Sequence, residues 1–130
     1  MTEKTQEWAE RVGREAVALG MRCEAGLVMH SSAPGYSWRL TKCGDWENGW
    51  PDFRDRLTEL ACIAWVEDVA REVYGMADVH TSRLPDGAAL VSVEPFRATA
   101  SDARPRVRKS RLTLAEACIA AVRAMKGEPC

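Results

Sequence analysis

Residues 77–93 read ADVHTSRLPDGAALVSV, and this stretch decides the fold. Ala77, Val79 and Thr81 alternate with Asp78, His80 and Ser82, the period of a strand with one covered face. Pro85-Asp86-Gly87 is a turn with a mechanism: proline presets its own φ, and glycine accepts the left-handed conformation that closes the bend. Ala89, Val91 and Val93 then resume the alternation. The stretch therefore predicts a β-hairpin with one apolar face, and a lone hairpin is marginal in water. Something else in the chain must cover it.

The flanks supply the cover. Upstream, residues 54–74 predict a long helix with Asp52 as cap, Phe53 at its first position and Gly75 as its stop. Its main stripe is Leu57, Ala61, Trp65, Val69 and Val73, and the central LACIAWV (Leu60 to Val66) makes the apolar band wide enough to be covered on more than one side. Trp65 is expected in the core. Downstream, Thr113 and Glu116 form a capping-box pair, and Leu114, Cys118, Ala121 and Met125, with Ala115, Ile119 and Val122, predict a last helix over 113–126, Ile119 lying in its core face.

The N-terminal half repeats the plan. Trp8, Val12, Ala16 and Leu19 recur at helical spacing over residues 4–20. Cys23, Ala25, Leu27 and Met29 alternate with polar or small residues, as do Tyr36, Trp38 and Leu40, and Pro34-Gly35 suits the turn between them. The predicted order is α-β-β-α-β-β-α: a single α+β domain over residues 1–130, with a mainly antiparallel four-stranded sheet covered by three helices. Residues 97–111 show no apolar period and read as a basic linker or loop within that domain.

Composition sets the outer limits. The chain has 130 residues, 46% of them hydrophobic, and 18 basic against 19 acidic residues leave a net charge of -1. That is one domain with a real core, and it excludes a strongly basic DNA-wrapping protein. No apolar run approaches a membrane span, and the N-terminus does not read as a signal peptide. Five cysteines, an odd number with no CxxC, argue against a disulfide framework and for a reducing, cytoplasmic compartment.

Catalytic and metal-binding signals are weak. His30 and His80, with Cys23, Cys43 or Asp78, lack any recognised metal spacing. Nothing places a base beside Cys43, and Cys62 and Cys118 fall in apolar stripes. Asp45, Glu47, Asp52, Asp55 and Glu59 are interleaved with Arg54 and Arg56 and suit a helix start. No phosphate-binding glycine loop and no GxSxG or HExxH motif occurs. The expectation is a protein that is not an enzyme, with no catalytic residue, no metal and no cofactor.

Two features point to binding. Trp46, Trp50 and Phe53 cluster in and after a polar loop, where they either fold back onto the sheet or anchor a protein partner. Residues 97–111 (RATASDARPRVRKSR) set six basic residues against Asp102, a net of +5, leaving -6 on the rest. Arg104, Arg106, Arg108, Lys109 and Arg111 form its dense end. Such a run can meet an acidic protein surface, contact nucleic acid or stay a solvated linker. The absence of aromatic residues among the charges disfavours stacking on single strands.

Four passages carry a resemblance: WPDF at Trp50 to Phe53, Ala64-Trp65-Val66, the strands from Ala77 to Val93, and LAEACIAAVRAMKG from Leu114 to Gly127. Over residues 50–127 the chain resembles small tailed-phage and prophage proteins with the phage ABA sandwich domain, from which the basic stretch departs by lengthening the link into the last helix. The resemblance implies a phage or prophage accessory protein in the bacterial cytoplasm, with no catalytic residues to transfer. The combined expectation is a non-enzymatic interaction protein that modulates a host protein complex. A nucleic-acid-associated accessory protein using residues 97–111 is the alternative, and a homodimer stays open.

Overall fold

The structure is a computed structural model describing residues 5–24, 27–30, 39–42, 46–47, 50–95 and 107–127, with side chains described over 7–21, 50–95 and 107–127. The chain is α+β. Among the described residues, helices α1 (Thr5–Ala18), α2 (Arg56–Tyr74) and α3 (Leu114–Met125) alternate with eight short strands: β1 (Arg22–Glu24), β2 (Leu27–His30), β3 (Arg39–Lys42), β4 (Trp46–Glu47), β5 (Trp50–Pro51), β6 (Ala77–Arg83), β7 (Ala89–Pro95) and β8 (Val107–Arg111).

The expected single four-stranded sheet is corrected. The strands form three antiparallel sheets, in the orders β1-β2-β3, β4-β5 and β6-β7-β8. The stretch read as one strand from Cys23 to Met29 is two, paired with Glu24 opposite Leu27. A period of two is the same on both arms of a tight reversal, so alternation alone does not reveal the fold-back. The Pro34-Gly35 turn lies outside the described residues. The tryptophan loop contains the small β4-β5 pair, with Glu47 opposite Trp50.

The hairpin of residues 77–93 forms in the register its sequence dictates, Val79 opposite Val93 and Thr81 opposite Val91. Gly87 takes φ 89°, and Asp86 accepts a hydrogen bond from the Ala88 amide at 3.0 Å, which ties the turn shut. Ala89, Val91 and Val93 are buried under α3 and α2.

The helix ends follow their caps. Thr113 Oγ1 accepts from the Glu116 amide at 3.3 Å and donates to Glu116 Oε1 at 2.7 Å, so Thr113 caps α3 and the expected pair meets through their side chains. For α2 the cap is Asp55, accepting from the Leu57 amide at 2.9 Å, and not Asp52. Asp52 accepts from the Arg54 amide at 3.0 Å in a turn just before the helix, leaving Asp55 to satisfy the first free donors. Trp65, Val66 and Val69 on α2 meet Cys118, Ala121 and Val122 of α3 in one core that also takes in Val12 and Ala16 of α1. Helix α2 packs on α3 and on strands of two sheets, which is what its wide apolar band requires.

Candidate partner-binding surface

Residues 107–111 are a strand, and their reading as linker is corrected. Strand β8 pairs antiparallel with β7, setting Val107 opposite Val93, Lys109 opposite Val91 and Arg111 opposite Ala89. Only Val107 of the five is buried, so the stretch has no apolar period of its own. Its order comes from β7, whose backbone needs a second partner and whose buried valines extend their row onto Val107. The long aliphatic stems of Lys109 and Arg111 continue the helix-side face while their charges reach water.

That geometry distributes the cations. Arg108 and Ser110 are exposed on the outer face of the sheet; Lys109, half-buried, and Arg111, exposed, lie on the side of the helices. Beyond β8 no described strand pairs with the sheet, so β8 is an edge. Arg108, Lys109 and Arg111 make no ion pair with any carboxylate among the described residues. Among the described residues, the Arg111 guanidinium donates to the carbonyl of its neighbour Ser110, at 2.7 Å.

Beside this edge lies a shallow cleft of about 200 Å³, lined by Arg11 and Glu15 of α1, Arg111, and Glu116, Ile119, Ala120 and Arg123 of α3. Its carboxylates are already engaged. Arg11 reaches Glu15 and Glu116 at 3.5 Å, and Arg123 reaches Glu15 at 3.9 Å. Glu116 is held further by its cap and by Trp8 Nε1 at 3.4 Å. The cleft thus offers an apolar floor at Ile119 and Ala120 and a rim with one more arginine than its glutamates balance. A larger hollow of about 290 Å³ at the end of α2 has Glu67 and Asp78 beside Arg71, an excess of the opposite sign.

The aromatic candidates behave differently. Phe53 is fully buried in the core, so it is removed from the candidate surface: an apolar ring just ahead of α2 gains more from the core than from water. Trp50 is half-buried with its ring seated on Gly13 and the Arg14 guanidinium 5.6 Å from its centroid. The Trp46 side chain, Arg104 and Arg106 lie outside the described residues. His80 is exposed on β6, and Cys62 and Cys118 are buried. Burial pushes the Cys118 thiol well up, with the charge of Glu59 adding to the effect, so it stays protonated.

Sequence reasoning missed Arg11 and Arg123, which reach this surface from two helices. Their only signal is position: each lies on the margin of an apolar helical stripe, where a charged side chain can reach over the seam. No described helix is long and apolar enough to cross a membrane. The chain matches no known family, no curated protein and no solved structure.

Proposed function

We propose that this chain is a non-enzymatic interaction protein that binds an acidic protein surface through the basic edge formed by Arg108, Lys109 and Arg111. The observation that carries the reading is the placement of three cations on one ordered edge strand with no carboxylate partner among the described residues. Like charges this close repel one another, and that repulsion is relieved when an acidic surface arrives. The likeness of residues 50–127 to small phage proteins favours a phage or prophage accessory factor that acts on a host complex in the bacterial cytoplasm.

The test is capture from bacterial lysate, with and without nuclease, by wild type and by a variant carrying Arg108→Gln, Lys109→Gln and Arg111→Gln. The reading expects a protein with an acidic surface that wild type retains and the variant loses. Retention of the same proteins by both would overturn it. Loss of the captured material on nuclease treatment alone would favour nucleic acid as the partner.

A further inference from the structure

We infer that the edge of β8, which no other described strand pairs, accepts an acidic, extended segment of a partner protein as a fourth strand of the β6-β7-β8 sheet. This rests on the reading of the chain as a binder of acidic proteins and specifies how the partner is held. An edge strand presents a row of backbone donors and acceptors, and natural edges that must stay unpaired are guarded by charge, proline or a bulge. Strand β8 keeps an unbroken register with β7 over five residue pairs and contains no proline. Its guard is charge alone, and that guard has a sign.

The sign selects the occupant. A second copy of β8 paired antiparallel about Lys109 would set Lys109 against Lys109 and crowd the remaining arginines of both copies along one seam, and like charges opposite one another across strands are destabilising. An acidic strand turns each of those positions into an opposite-charge pair. The pattern is specific, because the cations lie on both faces: Arg108 outward, Lys109 and Arg111 toward the helices. An antiparallel strand read opposite Arg111, Ser110, Lys109, Arg108 and Val107 calls for acidic, neutral, acidic, acidic and apolar residues in turn. The apolar residue would extend the row Val79, Val93, Val107, which already crosses all three strands. Neighbouring strands lie roughly 4.8 Å apart. Helix-side side chains of a fourth strand therefore stand beside the cleft floored by Ile119 and Ala120, under Arg11, Arg111 and Arg123. Backbone bonding then supplies affinity and the alternating side chains supply selectivity, as in strand addition generally.

The experiment uses the full chain and three synthetic peptides of sequence TVETEEVT, one unmodified and two N-methylated at alternate residues, one on each edge. Methylation leaves the charges in place and removes backbone donors. The inference expects the unmodified peptide to bind, with amide exchange slowed across Val107–Arg111, and the methylated form that blocks the pairing edge to bind on the order of tenfold or more weakly. Equal binding by all forms would overturn strand addition and leave the acidic-partner reading standing. No binding by any form up to millimolar peptide, with the β8 amides unaffected, would overturn both.

Discussion

The ring of Trp50 lies so close to Gly13 that a β-carbon there would sit 2.8 Å from Cζ3 and nearer still to Cε3. Glycine within a helix costs about 1 kcal/mol relative to alanine, so α1 gives up helix propensity to let the β4-β5 pair approach. Gly13→Ala is expected to destabilise the protein despite its better propensity, because overpacking costs about 1–3 kcal/mol. The sign should reverse in a Trp50→Ala background, where the same change has room and should stabilise by up to about 1 kcal/mol. Denaturant titration of the four proteins measures this directly. Independent effects that simply add would show that the two residues do not meet.

Trp65 is fully buried, and its Nε1 has no hydrogen-bond partner among the described residues. Trp65→Ala should cost about 3–5 kcal/mol through the cavity it leaves. Trp65→Phe keeps much of the ring and removes an unpaired buried donor, so it should cost less than about 2 kcal/mol. Chemical denaturation separates the cases; a phenylalanine variant as unstable as the alanine one would mean that the indole nitrogen does have a partner.

Burial holds the Cys118 thiol protonated, and Cys62 is buried beside the same core. Both should resist iodoacetamide in the native protein at mildly alkaline pH and react after denaturation. Peptide mapping by mass spectrometry reads each site. Rapid native labelling of Cys118 would mean that the seam between α2 and α3 opens readily.

Glu72 on α2 has its carboxyl pushed above the ordinary carboxylate range by burial, with Asp68 adding to the rise and Lys126 opposing it. The folded state therefore holds this proton more tightly than the unfolded state. The stability tied to it is present below the unfolded value and is lost as pH rises through the folded one. Glu72→Gln should be more stable than wild type at neutral pH, with the difference shrinking as the pH falls through the carboxylate range. Thermal melts of both proteins across that range check the sign.

How much was legible in the sequence varied with the source of each element's order. The three helices carry their own signals: an apolar stripe, Thr113 as a cap, Gly75 as a stop. The hairpin of residues 77–93 carries its alternation and its turn. Strand β8 carries almost none, since Val107 is its one buried residue and its order is borrowed from β7 across the 11 residues between Pro95 and Val107. The candidate surface divided in the same way. Charge density alone picked out Arg108, Lys109 and Arg111, whereas grouping Phe53 with the loop tryptophans overlooked the pull of the core on an apolar ring next to a helix start. Arg11 and Arg123 join the surface only through tertiary packing.

On the proposed function, Arg108, Lys109 and Arg111 form a surface for acidic protein and add little to folding. A binding titration of wild type and the triple glutamine variant against poly-glutamate and against a DNA duplex, at about 50 and about 200 mM salt, decides between the partners. Both proteins are first shown by denaturation to differ by no more than roughly 0.5 kcal/mol per site. Wild type should bind poly-glutamate, the variant should lose that binding, and both should bind DNA weakly. Undiminished binding of poly-glutamate by the variant, or tight wild-type binding of DNA that falls steeply between the two salt concentrations, would contradict the proposed function.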